Sequence, residues 1–177
     1  MPPRLILDHS RFSITIRRLC FQLIENHDDF LNSVVIGLQP RGVFLSRRIR
    51  DELKNLTGYE PAYGELDTTF FRDDFRLRSL VPSSTNLDCS IENRKVVLVD
   101  DVLFTGRSVR AAMDAMQQFG RPSRVELLVL VDRRFSRHVP VQPDYVGFTV
   151  DALFSEKVIV QWSDDLLTAD VTLTRDE

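Results

Sequence analysis

Lysine is scarce in this 177-residue chain. Only Lys54, Lys95 and Lys157 occur among 23 basic residues; the other 20 are arginine. Codon usage alone gives such a bias, but arginine also brings a fixed fork of donors suited to phosphates and carboxylates. Cysteine is nearly absent. Cys20 and Cys89 make neither a disulfide framework nor a metal-ligand spacing, and the pattern around Cys20 predicts a core thiol. The three histidines, His9, His27 and His138, are scattered, which argues against a histidine metal site. The longest apolar run is five residues, 127–131, far short of the ~18 that span a bilayer. The first residues, MPPRLILD, carry no signal-like apolar stretch. The expectation is a cytoplasmic protein with no membrane partner.

Net charge is −3, which excludes a generally basic nucleic-acid coat and an acidic disordered tail. Residues 1–50 nevertheless carry 8 basic and 4 acidic side chains, a local surplus that fits either an anion-binding face or a solvated helix. The length suits one domain.

Periodicity supplies the elements. Phe12, Ile16, Leu19, Leu23 and Ile24 mark an amphipathic helix over about 11–26, with Asp8 and Ser10 as candidate caps. Residues 34–38 (VVIGL) read as a buried strand broken by QPRG. A helix over about 42–56 turns Val43, Leu45, Ile49 and Leu53 inward. Residues 66–71 have strand composition. From Arg72 to Arg94 the pattern dissolves, which predicts a functional flap or a mobile hairpin. Residues 95–100 form an apolar strand, 106–119 a helix and 125–131 another buried strand. Short strands follow at 145–150 and 158–160, with an edge strand at 171–173. Strands alternating with helices define an α/β fold with a mainly parallel sheet.

The densest chemical signal is VVLVDDVLFTGRS, residues 96–108. A buried strand ends at Asp100 and Asp101, and a short loop leads to a helix near Gly106. Ligands of open parallel sheets bind at the carboxyl ends of strands. Here backbone amides, the Thr105 and Ser108 hydroxyls and a helix N-terminus meet, as a phosphate requires. Gly106 allows close backbone approach. Two adjacent carboxylates suit two neighbouring hydroxyls, as on a ribose. Neither GxxxxGK[ST] nor GxGxxG is present, and the pattern of a phosphoryl-accepting receiver domain does not fit the long flap. Two solvated acids at a strand end are the plain structural alternative.

This segment resembles the phosphoribosyl-pyrophosphate (PRPP) signature of the type I phosphoribosyltransferases. GLQPRGVFLSRRI, GELDTTFFRDD, FGRPS, LLVLVDRR, PDYVG and SEKVIVQ extend the similarity in order. Together they look like the branch that combines pyrimidine operon regulation with uracil phosphoribosyl transfer. The resemblance implies a type I phosphoribosyltransferase fold in one domain, with a flap at about 72–94 and a hood from about 140–177 that takes N-terminal contributions. It implies PRPP binding by Gln39, Pro40, Arg41 and Gly42 at the pyrophosphate loop, and by Val102, Leu103, Phe104, Thr105, Gly106, Arg107 and Ser108 at the phosphate loop. Asp100 and Asp101 would serve the ribose, and magnesium indirectly through ribose or water. Arg72 and its neighbours Asp73 and Asp74 would begin the flap that closes over the reacting centre. Phe104, Asp132, Val158 and Ile159 would face the base. Purine-using relatives place Asp where Phe104 stands and Lys where Asp132 stands, which favours a pyrimidine.

The implied reaction joins uracil and PRPP to give UMP and pyrophosphate. A homodimer or higher oligomer follows from the same resemblance. Two stretches depart from the branch. Ile14, Arg17 and Phe21 replace Arg, Thr and His on the RNA-binding face, and Pro40 replaces Thr, which should weaken RNA binding although Arg11, Arg17 and Arg18 remain. Residues 133–139 (RRFSRHV) are longer than the usual Gly-His segment. A UMP-responsive RNA-binding attenuation regulator and a transferase for purines or another base stay open as alternatives.

Overall fold

A computed structural model describes residues 3–71, 85–153 and 155–175. Strand β1 (Arg4–Leu7) precedes helix α1 (His9–His27); β2 (Ser33–Leu38), α2 (Gly42–Thr57) and β3 (Ala62–Leu66) follow. Then come β4 (Lys95–Leu103), α3 (Arg107–Met116), β5 (Arg124–Arg134), β6 (Tyr145–Asp151), β7 (Glu156–Trp162) and β8 (Ala169–Arg175). Five strands form one parallel sheet in the order β3-β2-β4-β5-β6; three form an antiparallel sheet in the order β1-β8-β7.

Alternation along the parallel strands divides the interior. Val35, Val97, Val99, Leu128 and Leu130 pack with α1 and α2 in one core. Val34, Ile36, Val96, Leu98, Leu127 and Val129 pack with α3 in the other. All six residues of β2 are buried, as expected of a parallel strand covered on both faces. The inward stripe of α1 and that of α2 are those read from the periodicity. Asp8 caps α1 by accepting the Arg11 N–H at 2.8 Å. Gly58, at φ 75°, closes α2 in the left-handed conformation. Cys20 is a core thiol that burial pushes up to about 12. The small sheet is pinned to both helices by Trp162, whose ring meets Phe12 edge-on at 5.3 Å and Phe44 at 5.9 Å.

Several expectations need correction. Residues 66–71 are not a strand: β3 ends at Leu66 and Thr69–Phe71 is a 3₁₀ turn. The Asp67 carboxylate accepts the Thr69 N–H at 2.8 Å and its hydroxyl at 2.6 Å, a local bond that competes with sheet pairing. The strand at 171–173 is the middle of the small sheet rather than an edge, because the unforeseen β1 pairs with its other side. β6 joins the main sheet, and the C-terminal part of the small sheet is β7 and β8. Strand β4 does not stop at the two aspartates. It runs to Leu103 because β5 is long enough to pair with it, Leu103 opposite Asp132. Of the stretch 72–94, residues 72–84 lie outside the described residues. In the rest, Asn86 bridges to Glu65, and Ile91 is fully buried.

Candidate active site

Parallel pairing of β2 with β4, Gly37 opposite Val99, sets the loop after β2 beside the end of β4. In that loop the Gln39–Pro40 peptide is cis, and the Gln39 N–H donates to the Leu66 carbonyl at 3.0 Å. Arg41 occupies the N-cap of α2. A Cβ on Gly42 would stand 2.3 Å from the Val99 carbonyl oxygen, so only glycine lets α2 start against β4 here.

The two carboxylates differ. Asp100 is half-buried, and its Oδ1 accepts the Asp101 N–H at 2.9 Å. Asp101 is 5% exposed. Its Oδ1 accepts the Val102 N–H at 2.7 Å, while its buried Oδ2 has no hydrogen-bond partner among the described residues. Such an atom costs about 1–3 kcal/mol. Burial pushes the Asp101 carboxyl above the usual carboxylate range, opposed by the Arg41 guanidinium and the Val102 amide.

Beyond β4 the chain turns through Gly106, at φ 86°, into α3. A non-glycine residue would be strained there. The turn and the first turn of α3 wall a cavity of about 310 Å³, lined by Asp100, residues 102–108, Val109 and His138. The positive end of a ten-residue helix faces it. Thr105 is held from behind, its carbonyl accepting the His138 and Val139 amides at 2.9 and 3.2 Å.

Phe104 is half-buried, and the Arg133 guanidinium lies 4.0 Å from its ring centroid. Arg133 is 4% exposed and also donates to the Leu153 carbonyl at 2.8 Å, tying the turn before β7 to β5. Asp132 is ion-paired with Arg137.

The expected site residues therefore fall into groups. Asp100, Val102, Leu103, Phe104, Thr105, Gly106, Arg107 and Ser108 line one cavity. Asp101 is buried next to Asp100, and Gly42 contacts the same strand end. Asp132, Val158 and Ile159 are not part of that lining; Val158 is buried in β7 and Ile159 is 43% exposed. Arg72 lies outside the described residues. Val109, His138, Arg133 and Arg137 were not singled out by sequence reasoning. The unusual run 133–139 was the signal that holds three of them.

The Asp100 carboxylate, a glycine turn and a helix N-terminus meet around one cavity at the carboxyl end of a parallel strand, with buried Asp101 next to Asp100 in β4, the position where open parallel sheets bind ligands. The phosphoribosyl transferase domain model matches residues 5–163, and the chain belongs to that family, with the type I α/β fold. It is 41% identical over 164 residues to the bifunctional protein PyrR of Streptococcus suis, covering 93% of this chain and 92% of the relative. It is 42% identical over 159 residues to the pyrimidine operon regulatory protein of Lactococcus lactis subsp. cremoris, covering 90% of each. Among solved structures, the hypoxanthine phosphoribosyltransferase of Trypanosoma cruzi superposes with a TM-score of 0.72 at 17% identity, covering 98% of this chain and 97% of that one. A hypoxanthine-guanine phosphoribosyltransferase of Bacillus anthracis gives 0.66 at 15% identity, covering 85% and 84%. At these identities the structural likeness speaks for the fold alone.

Proposed function

We propose that this chain transfers the phosphoribosyl group of PRPP to uracil, giving UMP and pyrophosphate. The observation that carries the reading is the Asp100 carboxylate in one cavity with a loop of amides and hydroxyls at a helix N-terminus, with the buried, half-satisfied Asp101 next to it in β4. Ribose hydroxyls donate to the carboxylates, and the 5′-phosphate takes the amides of residues 104–108 with the Thr105 and Ser108 hydroxyls. As pyrophosphate departs, positive charge develops on the ribose ring, and the two carboxylates stabilise it. Arg41, at the N-cap of α2 beside Gly42, would neutralise the departing pyrophosphate. The reaction needs no covalent nucleophile.

Among the described residues no group of three or more His, Cys, Asp or Glu side chains could hold a metal. The unpartnered Asp101 oxygen and the half-buried Asp100 carboxylate fit a hydrated magnesium ion brought by the substrate's own oxygens. Asp100 and Asp101 would hold it through ribose or water, and it would supply charge neutralisation to the pyrophosphate.

For the base, Phe104 presents a ring with no acceptor for an imidazole N–H, and the Asp132 carboxylate is engaged by Arg137. Both favour a pyrimidine, with backbone groups near Val158 and Ile159 reading its edge. Relatives named as pyrimidine regulators make RNA control the second reading. The α1 face gives it less support. Ile14 and Phe21 are 69% and 51% exposed, Arg17 pairs with Glu52 at 3.3 Å, and Arg18 donates to the Val146 and Gly147 carbonyls of β6. A gel-shift assay with a pyrimidine-gene leader RNA, with and without UMP, tests it; tight UMP-enhanced binding would restore the regulator reading. The transferase reading is tested by incubating the protein with PRPP, magnesium and each base in turn.

A further inference from the structure

Arg137 sits in the stretch where the sequence departs from its branch, and its guanidinium reaches five acceptors. Nε donates to the Val141 carbonyl at 3.2 Å. Nη1 lies 3.2, 2.5 and 2.9 Å from the carbonyls of Leu103, Phe104 and Arg133. Nη2 pairs with the Asp132 carboxylate. The side chain is 22% exposed, so water competes little for these bonds. Two of the acceptors, Leu103 and Phe104, belong to the cavity wall. The others belong to β5 and the loop after it. That loop is bound to the wall a second time by the His138 and Val139 amides on the Thr105 carbonyl. One side chain thus joins the end of β4, the end of β5 and the 133–141 loop.

We infer that Arg137 is a positioning residue that holds the backbone of residues 103–105 in the geometry that receives the PRPP phosphate. The inference rests on the transferase reading of the same cavity. A planar fork can meet carbonyls in several directions at once, whereas an ammonium is a point charge. Without the clamp the Leu103 and Phe104 carbonyls lose their shared donor, and the turn into Gly106 loses its fixed direction. Asp132 in this arrangement orients the clamp.

The test compares wild type, R137Q, R137K and the surface control R134Q, whose parent side chain pairs with Asp151. PRPP affinity is read by calorimetry with magnesium present, and KM for PRPP and for uracil is read by steady-state kinetics. R137Q should raise the Kd and KM for PRPP tenfold or more while KM for uracil changes by less than threefold. R137K should recover only part of that loss, and R134Q should match wild type. A folded R137Q with PRPP affinity within twofold of wild type would overturn the inference, as would a complete rescue by lysine. If neither Arg137 variant folds, hydrogen exchange on the wild type decides: PRPP should slow exchange at His138 and Val139, and unchanged exchange overturns it. A wild type that binds PRPP but transfers to no base defeats the transferase reading and leaves the affinity comparison in force. A wild type that does not bind PRPP defeats both.

Discussion

The two ends of the parallel sheet each bury a carboxylate, and they treat it differently. At the amino end, Glu126 lies at the start of β5 and is fully provided for. Its Oε2 accepts the Tyr145 hydroxyl at 2.8 Å and stands 2.8 Å from His27 Nε2, and its Oε1 stands 2.7 Å from Arg124 Nε. His27 reaches Ser33 with its other nitrogen at 2.8 Å and stacks on Phe30. Asn26 donates to the Tyr145 hydroxyl at 3.1 Å. At the carboxyl end, Asp101 keeps one oxygen with no partner among the described residues. A satisfied buried network ties α1, β5 and β6 together. A half-satisfied one reserves binding capacity and lowers stability in doing so. On the proposed reading the carboxyl end is the place of chemistry, and the amino end is a fastening.

The largest effect that would test this contrast is at Asp101. Asp101→Asn can keep the bond from the Val102 amide but removes the charge. Turnover should fall about 10²–10³-fold, measured as product formed from PRPP and base. The melting temperature should stay or rise, because the folded state no longer holds a desolvated carboxylate whose ionised form it disfavours. The opposite pattern is expected at Glu126. Glu126→Ala strands His27 and Tyr145 and should cost about 3 kcal/mol in urea unfolding. Activity well below the melting temperature should remain.

The third test uses pH. Burial holds the His27 pKa below its ordinary 6.5, outweighing the Glu126 carboxylate that pulls it up. The folded state prefers the neutral ring, so stability should fall as pH drops below about 6.5, by up to ~1.4 kcal/mol per pH unit from this group. His27→Gln should flatten that slope relative to wild type. Asp8→Ala, which removes the α1 cap far from both clusters, should cost only about 1 kcal/mol and leave both the turnover and the pH slope unchanged.

Much of this was legible in the chain. The stripes of α1 and α2 and the apolar runs of β2, β4 and β5 each follow from local residue types, and the structure places them as read. What escaped depends on partners distant in sequence. β1 is four residues long and is a strand because β8 lies beside it. Asp100 and Asp101 fall inside β4 because β5 extends to Arg134. The contrast between Glu126 and Asp101 could not be read from sequence, since His27 and Tyr145 come from 99 and 19 residues away. Arg137 is one arginine among 20 until the carbonyls of Leu103 and Phe104 are seen against it.

The most direct measurement is a base panel: wild-type protein, PRPP and magnesium with uracil, cytosine, hypoxanthine, guanine and adenine, following pyrophosphate and nucleotide together. UMP and pyrophosphate should form in equal amounts, with uracil well ahead of every purine. Transfer to hypoxanthine or guanine with none to uracil would contradict the account.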